Sequence, residues 1–268
     1  MYGRLGNHLW QYAVCRTVAE KNNYQFHIPR TFLGEFFGCD LGVDYTTTTE
    51  FYPCQHNEEH IQPFDPKVFD IADGTQLDGF FQSERYILDN RANIIDWFRV
   101  SENSTIMKAV DFNANTCIIH FRGTDYKHIP DVFLPKKYYD DSIQLMKQHN
   151  PLVQFAVITD DQELARQYFP HFDIYQWGVI EDFMLLNKAK YLIIPNSSFA
   201  WWAAWLNETD PFILAPKYWL RHNISSGWWS PSDSLTSRFH YVDRQGIMSN
   251  YYQCLVDIPD DNYFNYYT

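Results

Sequence analysis

The sequence predicts an α/β protein whose C-terminal half is a parallel, doubly wound sheet. Three observations predict it. Strand-like and helical runs alternate between residues 116 and 219. The strand-like runs are short and almost wholly apolar, as strands covered on both faces are. Each one opens into a polar loop, and sheets of this kind bind ligands beyond the carboxyl ends of their strands. The loops after Ile119, Ile158 and Ile194 are therefore the places to look for chemistry.

In chain order, "NHLWQYAVCRTVAEKNN" reads as a helix, with Leu9, Tyr12, Ala13, Arg16 and Val18 at roughly helical spacing and an Asn pair at its end. "YQFHIP" alternates like a strand and is closed by Pro29. Residues 34 to 80 read as irregular, with Gly, Pro and a Thr run from Thr46 to Thr49. "LDGFFQSERYILDNRANIIDWFRV" reads as a loop and then a helix carrying Ile87, Ile94, Ile95 and Phe98. The character changes after Ser101. "TCIIHF" is a strand, "PKKYYDDSIQLMKQHN" a helix, "QFAVIT" a strand and "DQELARQYFP" a helix ended by Pro170. "FDIYQW" (strand), "IEDFMLLNKAK" (helix), "YLIIPNSS" (strand), "FAWWAAWLN" (helix) and "PFILAPKYW" (strand and loop) follow. No internal repeat or low-complexity segment is present.

Composition narrows the function. A length of 268 residues suits one large domain or two ordinary ones. The formal net charge is −12 with no basic cluster, which argues against nucleic acid and anionic membrane surfaces as partners. A bound phosphate must then be held by a few placed groups. The aromatic share, 18%, is high enough that some rings are candidates for stacking on sugars while most build the core. The 5 cysteines are widely spaced without a CxxC pair, which fits neither a disulfide framework nor a zinc site. No apolar run reaches membrane-spanning length and no signal-like start is present, so the expected location is cytoplasmic. Asn-x-Ser/Thr triplets at Asn103, Asn196, Asn207 and Asn223 matter only in a secreted chain.

Four stretches carry candidate chemistry. "GRLGNHLWQYA" opens with Gly3 and Gly6 around Arg4 just before a helix, where free N–H groups can meet an anion; a tight turn before a surface helix fits equally. In "HFRGTDY", Arg122 stands just past a strand end, where its guanidinium suits a phosphate, and Asp125 either orients it or acts as a base. A purely structural Arg–Asp pair fits this spacing as well. In "ITDD", Asp161 reads as the N-cap of the next helix, with too few oxygen ligands nearby for a divalent ion. "NSSFAWWAAWLN" places Ser197 and Ser198 at a strand-to-helix junction, suited to cradling a phosphate or to ordinary capping. Its Trp201, Trp202 and Trp205 read as packing against the sheet before they read as a sugar platform.

Together "GRLGNHLWQYA", "DGFFQSERY", "HFRGTDY", "EDFMLLNKAKYLIIPNSSFAWWAAWLN" and "APKYW" occur in the order found in the glycosyltransferase family 11 α-1,2-fucosyltransferases, and the chain resembles that family over nearly all its length. The resemblance implies a GT-B fold: two facing Rossmann-like domains with the donor site in the cleft. The N-terminal one (residues 1–105, with a short start, on the acceptor side) would precede a GDP-sugar-binding one (residues 106–268), whose tail would pack back on the first. It implies that Arg122 binds pyrophosphate, that His120 and Asp182 lie near the guanine, and that Ser197 and Ser198 touch phosphate. Gly3, Arg4, Gly6 and Asn7 would close on phosphate and fucose from the other domain. Asp182 as a simple helix cap is the competing reading. The expected reaction is inverting transfer of L-fucose from GDP-β-L-fucose to a glycan hydroxyl, the 2-hydroxyl of galactose, without metal or other cofactor. Asp125 is the first candidate for the base and His8 the second. A same-fold transferase using another nucleotide sugar and a degenerate carbohydrate-binding relative remain as alternatives. Two features depart from the family pattern: only Met1 and Tyr2 precede the glycine loop, and Gly123 stands where many relatives carry a second arginine.

Overall fold

The computed structural model describes residues 1, 3–29, 32–43, 50–53, 63–99, 112–224, 226–230 and 232–258. The expected boundary at 105/106, the triplet at Asn103, the Thr run and the end of the C-terminal tail lie outside these residues. The chain divides into two units, Met1–Ser101 with Pro231–Ser234, and Glu102–Ser230 with Leu235–Thr268.

The second unit holds a seven-stranded sheet built from β3 (Thr116–Phe121), β4 (Gln154–Thr159), β5 (Asp173–Tyr175), β6 (Tyr191–Ile193), β7 (Phe212–Pro216), β8 (His240–Val242) and β9 (Met248–Asn250). The strand order is β5-β4-β3-β6-β7-β8-β9. All neighbours pair in parallel except β8 and β9. Numbered within the unit, the first six strands run 3-2-1-4-5-6, and the order reverses between β3 and β6. Between the strands lie α4 (Lys136–His149), α5 (Gln162–Tyr168), α6 (Val179–Lys188) and α7 (Ser198–Trp205).

Every residue of β3 is buried, so both its faces are covered. Cys117, Ile119 and Phe121 share a core with Tyr138, Tyr139, Ile143 and Met146 of α4 and Ala165 of α5. The alternate residue His120 points the other way, its ring 5.5 Å from that of Phe199 in α7. The predicted strand–helix alternation is therefore present element by element, with helices on both faces. The sequence reading did not include β8, β9 and α8 (Tyr251–Val256), although α8 carries a readable capping box between Asn250 and Gln253.

The first unit begins with α1 (Leu5–Asn22), which ends in a left-handed Asn23. It starts earlier than "NHLWQYA" suggested, so Gly6 and Asn7 belong to its first turn. The strand expected over "YQFHIP" is absent: only an isolated bridge joins His27 to Gly42. Gly42 has φ +75° and a Cβ there would meet the Phe26 carbonyl oxygen at 1.9 Å, so the partner segment turns away after one pair. Pro29 removes the next donor. The stretch read as irregular instead carries α2 (Phe32–Phe37), β1 (Glu50–Pro53), a 3₁₀ turn (Pro66–Asp70) and β2 (Thr75–Asp78). Strands β1 and β2 pair in parallel from Glu50 opposite Thr75 to Pro53 opposite Asp78. The helix expected near Ile94 is α3 (Arg91–Trp97), preceded by 3₁₀ turns.

Trp201, Trp202 and Trp205 of α7 are 2%, 0% and 0% exposed, which makes them core and removes the sugar-platform alternative. Trp202→Ala is expected to cost about 3–5 kcal/mol, read as a shift in the urea midpoint at unchanged slope.

Candidate active site at the reversal of strand order

The residues that follow β3 and those that follow β6 leave the sheet on either side of the point where the strand order reverses, the crevice that binds ligands in such folds. Pairing of Phe121 with Thr159 sets Arg122 beside Asp160. The Arg122 guanidinium lies between two carboxylates. Its Nη2 meets Asp125 Oδ1 at 2.7 Å and its Nη1 pairs with Asp160 Oδ2. The Arg122 side chain is 15% exposed, Asp160 24% and Asp125 39%, so Asp125 is the more exposed of the two carboxylates.

Asp160 does more than neutralise charge. Its Oδ1 accepts from the Gly123 N–H at 2.8 Å and the Thr124 N–H at 3.4 Å, and its Oδ2 accepts from Thr124 Oγ1 at 2.6 Å. Burial pushes this carboxyl up, but the Thr124 and Gly123 hydrogen bonds with the Arg122 charge outweigh that and leave it below its ordinary value. The neighbouring Asp161 has the expected capping role, accepting from the Leu164 N–H at 3.1 Å, and pairs with Lys127 Nζ at 2.7 Å. Gly123 is required by this arrangement: a Cβ there would lie 2.5 Å from Asp161 Cβ.

His120 is 5% exposed and its Nδ1 is buried without a hydrogen-bond partner. Burial, with Arg122 adding to it and Asp160 opposing, lowers its pKa to about 4, so the ring is neutral at pH 7. At the end of β6, Ser197 precedes α7 without using its hydroxyl as a cap, although it is buried to 5% exposure. Ser198 opens the helix, whose first-turn N–H groups face outward along its dipole. Asn196 ties these loops together. Its Nδ2 donates to the carbonyls of Val132 at 2.8 Å and Trp219 at 2.7 Å, and its backbone carbonyl accepts from the Tyr126 hydroxyl at 3.3 Å.

Asp182 lies in the first turn of α6, whose N-cap is Gly178, and does not open that helix. Its Oδ1 accepts from the Trp177 backbone N–H at 3.4 Å. Burial raises its pKa to about 7, with Glu181 and Asp160 adding to the shift. The charge of Asp160 thus acts on both His120 and Asp182.

Gly3, Arg4, Gly6, Asn7 and His8 form a separate set, at the start of α1 in the first unit. Gly3 has φ +81°, and a Cβ there would lie 2.2 Å from Asn7 Nδ2. Asn7 Oδ1 accepts from Gln82 Nε2 at 2.8 Å. Arg4 is exposed, while His8 is buried and its pKa is lowered by that burial and by the nearby N-terminal charge. Arg122, Asp125, His120, Ser197, Ser198 and Asp182 all belong to the second unit. Sequence reasoning missed Asp160, Thr124 and Asn196. The one signal for Asp160 was that a single cap needs only one of two adjacent acids.

A Rossmann-ordered sheet with an arginine after its first strand and a helix start after its fourth is of the class that binds ligands at the reversal of strand order. The comparisons narrow that class. The model of glycosyl transferase family 11 matches residues 61–229, more than half the chain, and the protein belongs to this family. That range contains the second-unit site residues His120, Arg122, Asp125, Asp182, Ser197 and Ser198 and excludes Gly3 to His8. The chain is 26% identical over 223 residues to the O-antigen biosynthesis glycosyltransferase WbnK of Escherichia coli, covering 75% of this chain and 71% of that protein. It is 32% identical over 166 residues to an Escherichia coli alpha-1,2-colitosyltransferase, covering 55% and 57%. With the galactoside 2-alpha-L-fucosyltransferase SEC1 of Bos taurus it shares 24% over 242 residues, covering 80% and 65%. The chain thus spans between about half and three-quarters of the length of these relatives. Family membership implies a nucleotide-sugar donor and an acceptor. Among the described residues no helix is long and apolar enough to cross a membrane.

Asp160→Asn should leave the turn after β3 under-bonded and cost about 1–3 kcal/mol at pH 7. Because the folded-state pKa is depressed, the contribution of the carboxylate is present above its ordinary value of 3.8 and is lost as pH falls through the lower folded value. The melting-temperature gap between parent and variant should therefore close in acid; a gap equally wide at pH 3 and pH 7 would contradict this role.

Proposed function

We propose that this glycosyltransferase moves L-fucose from GDP-β-L-fucose to the 2-hydroxyl of a galactose-containing glycan, with inversion and without metal, in a GT-B arrangement. The observation that carries the reading is the position of Arg122, largely buried and held between two carboxylates just past β3, at the reversal of strand order. In a chain of net charge −12, no general positive field is available to a leaving diphosphate, so this fork and the α7 N–H groups must supply the stabilisation. Ser197 and Ser198 add hydroxyl donors, and neutral His120 contributes a buried ring nitrogen beside them.

The more exposed partner is the one to move. Incoming phosphate oxygens replace Asp125 on the guanidinium, while Asp160 keeps its hold from the other side. The displaced Asp125 carboxylate is then available to accept the acceptor hydroxyl's proton, with His8 the second candidate. Gly3, Arg4, Gly6 and Asn7 are further candidates for donor contacts on the strength of the family resemblance alone. Metal is not needed, because the developing charge already has a cation and a helix start, and Asp160 and Asp161 are engaged with cations and N–H groups. A second donor is favoured by two observations, the similarity to a colitosyltransferase and the glycine at position 123.

Purified protein offered GDP-fucose and nucleotide-activated colitose with galactose-terminated acceptors should transfer fucose, at the same rate in excess EDTA. Loss of activity on chelation with recovery in Mn²⁺ or Mg²⁺ would refute the metal-free mechanism. Preference for colitose would reassign the donor. No transfer together with no GDP-induced rise in melting temperature would indicate a carbohydrate-binding relative.

Arg122→Ala should lower kcat/KM on the order of 10²–10³-fold, the cost of one preorganised donor to a developing anion. Arg122→Lys should also be severe, since it keeps the charge and loses the planar fork. Folded Arg122→Ala protein within tenfold of the parent would assign Arg122 to loop structure alone.

A further inference from the structure

The segment that follows β7 fixes an indole that the core does not enclose. The Arg221 guanidinium lies over the Trp229 ring, 4.4 Å from its centroid. That guanidinium is itself held, with Arg221 Nε 3.0 Å from Asp131 Oδ1 at side-chain exposures of 33% and 54%. Trp229 Nε1 donates to the Ser226 carbonyl at 2.9 Å, which sets the rotation of the ring in its own plane. The backbone is fixed as well. Arg221 takes a left-handed φ of +52°, uncommon for a residue with a side chain, and its N–H donates to the Asp131 carbonyl at 2.6 Å. Arg244, seated 3.7 Å from the Tyr218 ring centroid, donates to the carbonyls of Arg221 at 2.9 Å and Gly227 at 3.0 Å. Asn223 Nδ2 donates to the Pro130 carbonyl at 2.9 Å, tying this loop to the connection from β3 to α4 that begins with Arg122. Trp229 remains half-buried, and among the described residues no second ring or cation stacks on it. A fixed aromatic face therefore stands at the same carboxyl edge of the sheet as Arg122, and the phosphate chemistry there does not use it.

We propose that Trp229 is the platform on which a sugar ring of the acceptor glycan stacks, with Arg221 and Asp131 as positioning residues. The proposal rests on the glycosyl-transfer reading above and adds an acceptor contact to it. A galactose ring turns its C3–H, C4–H and C5–H bonds to one side. That apolar face matches an indole, while the hydroxyls around the rim stay in water. The contact needs no charge, which suits a neutral glycan and a chain of net charge −12. Holding the ring in place beforehand removes part of the ordering cost of binding.

The test is steady-state transfer to a galactose-terminated acceptor in the parent and in Trp229→Ala, Trp229→Phe, Trp228→Ala and Asp131→Asn, with calorimetric GDP affinity alongside. Trp229→Ala should raise the acceptor KM by about tenfold, the order that one aromatic face supplies, with kcat and GDP affinity near parental. Trp229→Phe should keep most of the acceptor affinity, and Asp131→Asn should raise the acceptor KM less than Trp229→Ala does. The neighbouring Trp228, whose Nε1 donates to the Asp257 carbonyl, serves as the control, and Trp228→Ala should leave the acceptor KM near parental. A Trp229→Ala enzyme with a lowered melting temperature but a parental acceptor KM would make the ring a cover for its loop and overturn the proposal. An equal rise in Trp228→Ala would assign the effect to the fold of the loop, and an equal loss of GDP affinity would assign the ring to the donor; either overturns it. If the parent transfers from no nucleotide sugar, the glycosyl-transfer reading fails separately, and titration of the glycan alone then decides the platform. The same titration decides if Trp229→Ala fails to fold. The glycan should change parent tryptophan fluorescence saturably, and Trp229→Phe should abolish most of that change; no change in the parent, or an undiminished one in the variant, would overturn the stacking.

Discussion

The carboxylate of Asp160 holds the turn after β3 from four directions: two backbone N–H groups, a threonine hydroxyl and the Arg122 guanidinium converge on its two oxygens. An arginine on an otherwise free loop would sample many rotamers and be screened by water. Here it is oriented and largely desolvated before any ligand arrives, which is when a charge-assisted hydrogen bond to phosphate is strongest. The cost is partial neutralisation by two carboxylates of unequal exposure, Asp125 at 39% and Asp160 at 24%. The direction of the guanidinium and the curl of the backbone at Gly123 both trace back to this one acid.

The sheet explains why these groups meet. In the order 3-2-1-4-5-6, the connections leaving β3 and β6 run to opposite sides and leave a gap at their carboxyl ends. Asn196 spans that gap at the backbone level, joining the segments after β3, β6 and β7 through one side chain. It also explains why its Asn-x-Ser triplet is no surface feature: the residue is 3% exposed and its amide nitrogen is fully engaged.

Legibility in the sequence followed the locality of the forces. The C-terminal half was readable because strands covered on both faces must be apolar throughout. Its helices also show their packing directly, as α4 does with Tyr138, Tyr139, Ser142, Ile143 and Met146 buried. The N-terminal half was not. Parallel pairing of β1 with β2 links segments more than twenty residues apart, so neither run announces its partner. "YQFHIP" has the right alternation, but its pairing depends on where residues 41–43 turn. Within the site, Arg122 and Asp125 were visible because their pairing is a spacing of three along one turn. Asp160 was not, because choosing it over Asp161 depends on the register of β4 against β3.

The contact of Gly123 with Asp161 bears on how such sequences change over time. Position 123 cannot gain a side chain while Asp161 stands where it does, since the two Cβ atoms would be 2.5 Å apart. Asp161 in turn caps α5 and holds Lys127, so it cannot retreat without loosening both. A second arginine beside Arg122 is therefore not one mutational step away. The path runs first through the start of α5, and positions 123, 127 and 161 should drift as a set, with single changes purged and combined ones retained.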